Sequence, residues 1–215
     1  FRSIRPGYMP WYITGEEARF LHYALEQTLD VAARTADDEY LLETDDDEAY
    51  LVRTGIKQGN SLSWVDRTMK IEPPEPRPIP ITVNTSEIKI LKKVRQSRLT
   101  LEVDFFLLPV RIGEKGYRPV LPYLLMVVDA RSGMVVGHET FLAEPSLEDM
   151  WGKIPGTLLH QFTKAQVLPR EIYVRSGLLY ALLQPLAEEL RFRLDQKDDL
   201  PMLDEAKEEL YHFMK

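Results

Sequence analysis

The stretch from Leu99 to Phe141 does most to restrict what this chain can become. It reads LTLEVDFFLLPV and then, after a Gly-containing turn, LPYLLMVVDARSGMVVGHETF. These are apolar runs of strand length, rich in β-branched and aromatic residues and separated by turn residues. We expect three consecutive strands over 99–110, 120–129 and 134–141, with Ala130-Arg131-Ser132-Gly133 as the tight turn between the last two. The near-continuous apolarity of YLLMVVD and LEVDFFLLP predicts strands buried on both faces.

Past Phe141, helix-like and strand-like segments alternate. Residues 147–164 read as helical, interrupted at Gly152, Pro155 and Gly156. A short strand over 171–175 follows, then a helix over 177–190 carrying Pro185, a strand over 191–195 and a closing helix over 201–214. Short turns join antiparallel neighbours, whereas parallel neighbours need a helical crossover. The expected fold class is therefore α/β. Its mixed five-stranded sheet has an antiparallel meander first and two further strands running parallel to the first, with helices flanking it.

Upstream, PPEPRPIP (73–80) holds five prolines in eight residues, which removes amide donors and stiffens the chain. We expect a small module over 1–72, a Pro-rich linker over 73–83, and the large domain over 84–215, opened by the N-cap residues Asn84-Thr85-Ser86. In the small module, Thr14-Gly15-Glu16-Glu17 fits a capping box that starts a helix ending near Ala36. Ala18, Leu21, Leu25, Leu29 and Ala32 form one apolar stripe along it. Short strands are expected at 39–42 and 49–54 around an Asp45-Asp46-Asp47 turn, then a loop over 55–63 and a third strand over 64–71. This makes an α+β module of one helix and an antiparallel hairpin.

The 215 residues contain no cysteine, which excludes thiol catalysis, disulfides and cysteine-based zinc sites. A cysteine-free, net −7 chain suits a reducing cytoplasm and disfavours a phosphate backbone as partner. No signal peptide or membrane-spanning run is visible. Opening at Phe1 rather than Met, the sequence is expected to be a trimmed one.

The strand order resembles a ribonuclease-H-like fold. LEVDFFLLPV resembles the first core strand of integrase and transposase catalytic domains, and LLMVVDARSGMVVGHE their second and third strands. EIYVRSG resembles the fourth strand and its exit, so the likeness spans residues 99–214. The whole chain is also similar to a bacterial family of domains of unknown function. In it, an RPGYxPW segment precedes the VDF…LP and VVDxxSGxxxG patterns, here RPGYMPW, VDFFLLP and VVDARSGMVVG.

Integrase-type chemistry holds two divalent ions with carboxylates that converge from separate elements. The resemblance carries the first of these to Asp104 and the third to Glu205 or Glu208 in the closing helix. The second should be acidic, yet the sequence has Arg175-Ser176 there. A guanidinium in that place repels Mg²⁺ and pairs more naturally with Asp104. Asp129, ending a strand beside a turn, is a further candidate, although an Asp there ordinarily caps the turn.

Other constellations are weaker. The acids from Asp37 to Glu48 lack the spacing and central Gly of a calcium loop. Lys89, Lys92, Lys93, Arg95 and Arg98 are expected around one helix whose buried face is Ile88, Leu91 and Val94. The first four are the nucleic-acid-binding candidates. His22, His138, His160 and His212 show no paired spacing, and neither Ser132 nor Ser176 sits in a GxSxG elbow. Tyr8, Trp11 and Tyr12 are expected to pin the N-terminal segment in place.

These readings favour a non-catalytic interaction or scaffold protein without a cofactor, whose partner is another protein and not a membrane. A divergent Mg- or Mn-dependent nuclease or phosphoryl-transfer enzyme built on Asp104, Asp129 and Glu205 or Glu208 is the first alternative. Nucleic-acid binding without cleavage is the second.

Overall fold

Thr14 opens the first helix in the way its neighbours dictate. The Glu17 amide donates to Thr14 Oγ1 at 3.1 Å, and the Thr14 amide donates to Glu17 Oε2 at 2.7 Å. The helix, α1, runs Gly15–Asp37. The computed structural model describes residues 1–59 and 61–214. It falls into two compact units, Phe1–Ser3 with Tyr12–Pro76, and Ile4–Trp11 with Arg77 onward.

In the first unit, β1 (Ala49–Gln58) and β2 (Ser61–Lys70) form a two-stranded antiparallel hairpin. This corrects the expected strand pairing, because residues 39–42 are turn rather than strand. Asp38 and Asp46 accept from the amides of Tyr40 and Glu48, two residues on, and these local bonds divert the acidic stretch from a ladder. Residues 55–63 were expected to be loop. Apart from Asn60, which lies outside the described residues, and the turn residue Gly59, they are strand. Gly55 misleads as a breaker. It stands directly opposite Trp64, whose ring lies where a Gly55 side chain would project.

In the second unit the elements run α2 (Thr85–Leu91), β3 (Thr100–Leu107), β4 (Tyr123–Asp129), β5 (Val135–Phe141), α3 (Leu147–Gly152), α4 (Ile154–Ala165), β6 (Glu171–Val174), α5 (Gly177–Leu190), β7 (Arg193–Gln196) and α6 (Pro201–Phe213). The strands form one sheet in the order β5-β4-β3-β6-β7. The β3-β4 and β4-β5 pairs are antiparallel, and the β3-β6 and β6-β7 pairs are parallel. The mixed five-stranded sheet flanked by helices, with the small helix-and-hairpin unit before it, is therefore the architecture the strand pattern predicts.

Alternation along β3 sends its side chains to two different cores. Leu101 and Val103 join Leu125, Val127 and the buried sides of α3, α4 and α5. On the opposite face Phe106, Leu124, Met126 and Val128 pack with Leu200 and Leu203 at the start of α6. Ile79 and Val83, at the end of the proline-rich stretch, pack against the first of these cores. The backbone of Pro80 and Thr82 lies so close to Gly152 and Gly156 that neither glycine has room for a side chain. The entry segment is tied to the same unit, with the Leu121 amide donating to the Gly7 carbonyl at 2.8 Å and Tyr8 Oη to Glu144 Oε1 at 2.9 Å.

Among the described residues, no helix is long and apolar enough to cross a membrane.

Candidate functional site

The second face of β3 carries an unusual load for a central strand. Glu102 and Asp104 are only 3% and 6% exposed, and both point toward α6. Buried carboxylates persist only where partners compensate their lost hydration. Each has such a partner, and the partners differ.

Glu102 caps a helix from a distance. The N-cap of α6 is Leu200, which has no side-chain acceptor, and Pro201 occupies the first turn. Glu102 Oε2 accepts from the Leu203 amide at 2.8 Å, and the Met202 amide also donates to this carboxylate. The carboxylate thus satisfies orphan amides and faces the positive end of the helix dipole. Burial nonetheless pushes its pKa above the ordinary glutamate range, against the lowering effect of those amides.

Asp104 meets Arg175. The parallel register pairs Val103 with Val174, so the next residue of each chain segment stands at the same level. Arg175 Nη1 donates to Asp104 Oδ2 at 3.3 Å, while Asp104 Oδ1 accepts from the Phe105 amide at 2.9 Å. Arg175 Nη2 donates to both oxygens of Asp204 on α6, at 2.8 and 2.7 Å, and Nε donates to the Asp198 carbonyl at 2.9 Å. The bonds to Asp204, with the fields of Asp204 and Asp104, hold the guanidinium pKa above its usual value despite burial. One cation therefore joins β3, β6 and α6.

Tyr211 lies about two turns beyond Asp204 on the same side of α6. Burial and the Asp104 charge push its phenol upward, and its ring meets Phe106 edge-on at 6.2 Å between centroids. The Lys207 ammonium rests 4.1 Å from the centre of the Phe106 ring.

The other sequence candidates stand apart from this cluster. Asp129 is opposite Leu101, hence on the other face of the sheet and three residues, ~10 Å, along from the level of Asp104. Its carboxylate accepts from Ser132 Oγ at 2.6 Å and from the Arg131 amide at 3.2 Å, and the Ser132 hydroxyl chiefly lowers its pKa. It caps the turn. Glu205 and Glu208 are exposed on α6. The acid that α6 turns toward β3 is Asp204, which sequence reasoning missed along with Glu102. Glu102 was detectable, since LEVD places two acids on one face of a strand; the inward turn of Asp204 depends on where α6 docks.

Among the described residues, no group of three His, Asp or Glu side chains is arranged to hold a metal ion. Asp104 and Asp204 do lie close together, but a guanidinium already bridges them. That donor set does not fit a divalent cation.

The basic residues also differ from expectation. The helix expected to carry them, α2, ends at Leu91 because Lys92 caps it and the chain turns toward the bridge between Gln96 and Leu168. Lys89 is on the helix, Lys92 pairs with Glu189 of α5, and Lys93 and Arg95 are exposed beyond the helix end. They form no continuous helical stripe.

No curated protein matches the chain. The family model described as "Domain of unknown function (DUF7309)" matches residues 1–53. A second, described as "Domain of unknown function (DUF6930)", matches residues 87–211, from α2 to the last turns of α6 and so more than half of the sequence. Through this match the chain belongs to the DUF6930 family.

Proposed function

We propose that the second unit is a ribonuclease-H-like scaffold in which the Asp104–Arg175–Asp204 bridge serves as a structural clamp, and that the protein works by binding another protein. The observation that carries the non-catalytic part of this reading is Arg175, placed between Asp104 and Asp204 where metal-dependent phosphoryl transfer would need its second carboxylate. The antiparallel meander followed by two parallel strands supports the ribonuclease-H likeness. With its charge matched by acids on two elements, the guanidinium holds α6 on the sheet and leaves no vacancy for Mg²⁺ or Mn²⁺. The acidic total and the broken basic stripe weigh against nucleic acid. The cysteine-free composition agrees with a bacterial cytoplasm as the setting.

The test is Mn²⁺ titration followed by paramagnetic broadening of the resonances of β3 and α6. Single- and double-stranded nucleic acid cleavage assays of the unaltered chain and Asp104→Asn accompany it. The expected result is no broadening near Asp104 and no turnover. Metal-dependent cleavage that disappears in Asp104→Asn would establish the enzyme reading instead.

A further inference from the structure

The first unit carries an apolar surface that its own fold does not use. Helix α1 meets the hairpin through Tyr23, Gln27, Asp30 and Arg34. The Tyr23 ring lies 5.9 Å from Trp64, Arg53 donates to Gln27 and pairs with Asp30 at 3.1 Å, and Arg34 pairs with Asp66. Spacings of four, three and four put these residues in one row. At 100° per residue, the row formed by Ala18, Leu21, Leu25, Leu29 and Ala32 lies on the opposite side of the helix. Leu25 is 51% exposed and Leu29 72%, and no described residue of this unit is buried. The helix thus docks by its polar side and leaves Leu25 and Leu29 outward, with Ala18 and Leu21 half-buried at the start of the row, the reverse of ordinary amphipathic packing.

We propose that this row is a self-association surface, on which two copies of the chain pack their α1 helices antiparallel about a two-fold axis through Leu25. The proposal concerns the first unit alone and is independent of the reading of the Arg175 bridge. Two features select a second copy as the occupant, and a third sets how tightly it binds.

The first is the spacing. From Ala18 the intervals are three, four, four and three, which reads the same in both directions. An isologous contact needs that symmetry. It sets Leu25 against Leu25, Leu21 against Leu29, and Ala18 against Ala32, small residues at both ends allowing the helices to approach. The second feature is charge. In this register His22 meets Thr28, Glu26 meets Ala24, Arg19 meets Val31 and Glu17 meets Ala33, so no charge faces its like. The third is size. A 23-residue helix is ~35 Å long, and a strip ~10 Å wide along it buries ~700 Å² over both copies. That is below the ~1,200 Å² of a standing interface, so the dimer is weak and concentration-dependent.

The absence of cysteine allows a sharp test. Leu25→Cys, Leu29→Cys and an equimolar mixture of Leu21→Cys with Leu29→Cys are each exposed to copper and dissolved oxygen, and disulfide-linked dimer is followed with time. Random collision favours Leu29→Cys, the more exposed site. The two-fold register favours Leu25→Cys, by at least tenfold in rate, and the mixed pair over Leu29→Cys alone. Sedimentation velocity over a concentration series completes the test. Leu25→Glu and Leu25→Lys should each stay monomeric with unchanged circular dichroism, while their mixture regains the dimer through opposite charges on the axis. Equal crosslinking at positions 25 and 29, or an unaltered chain that stays monomeric up to millimolar concentration, would overturn the proposal.

Discussion

Arg175 and Asp104 are neighbours because two parallel strands agree in register. Val103 pairs with Val174, the following residue of each segment stands level, and the guanidinium reaches the carboxylate at 3.3 Å. The same guanidinium grips Asp204, so the tie extends from the sheet to the last helix.

Removing the cation leaves Asp104 buried beside another acid. Arg175→Met should therefore cost ~1–3 kcal/mol in urea unfolding, below the ~3–5 kcal/mol of fully enclosed pairs because the Arg175 side chain is partly exposed. Asp104→Asn in the Arg175→Met background should recover much of that loss, since it removes the stranded charge. A double-mutant cycle measures the difference, and strictly additive effects would show that the two groups do not act together.

Glu102 supplies the cap that Leu200 cannot, so loss of its acceptor should matter more than loss of its charge. Glu102→Ala is expected to lower stability by ~1–3 kcal/mol by orphaning buried amides at the start of α6. Glu102→Gln keeps an acceptor. The raised pKa means that the folded chain holds this proton more tightly than the unfolded chain does. Its contribution is therefore most favourable at acid pH and declines as pH rises from the ordinary glutamate value of about 4.3 through the raised one. Glu102→Gln should lack that decline, and thermal unfolding from pH 4 to 8 would show a flatter profile than the unaltered chain.

Gly152 and Gly156 make room for the strap through Pro80 and Thr82, whose amide donates to the Gly152 carbonyl at 3.1 Å. A methyl group at either position meets backbone, which cannot rotate away. Gly152→Ala and Gly156→Ala should each cost ~1–3 kcal/mol and raise hydrogen exchange at the Thr82 amide. Gly15→Ala is the control, because nothing lies within 4 Å of its added carbon.

The parts of this molecule that were legible in the sequence are those governed by local rules. The Thr14 capping box, the Ser132-Gly133 turn and the apolar runs of β3 and β4 each follow from residues adjacent in the chain. The hairpin of the first unit was legible as a hairpin but not in its length, because Gly55 reads as a breaker until Trp64 is known to lie opposite it. Asp204 was passed over for Glu205 and Glu208 for a similar reason. All three lie on one helix, and only the docking of α6 on β3 decides which carboxylate faces the sheet. The α1 stripe shows the opposite failure. Its pattern was plain, yet nothing local says that the helix would turn its polar side to the hairpin.

That polar contact predicts an acid response confined to the first unit. Asp66 is held down to about 2, first by its bond to Arg34 and then by Arg53, which donates to it at 2.6 Å. A folded-state pKa below the unfolded value of about 3.9 gives stability that is present in full above that value and is lost as pH falls toward 2. Protonation removes the charge from both arginine pairs of Asp66, so α1 is left on the hairpin by the Arg53 bonds to Gln27 and Asp30 and the Tyr23–Trp64 contact, with no described residue of this unit buried to reinforce them. Between pH 4 and 2, the α1 amides should therefore lose hydrogen-exchange protection and the Trp64 indole should shift, ahead of the β3 and β4 amides. Asp66→Asn should show the loosened unit already at neutral pH, with no further change over that window. A first unit that titrates identically in Asp66→Asn would place the acid-sensitive group elsewhere.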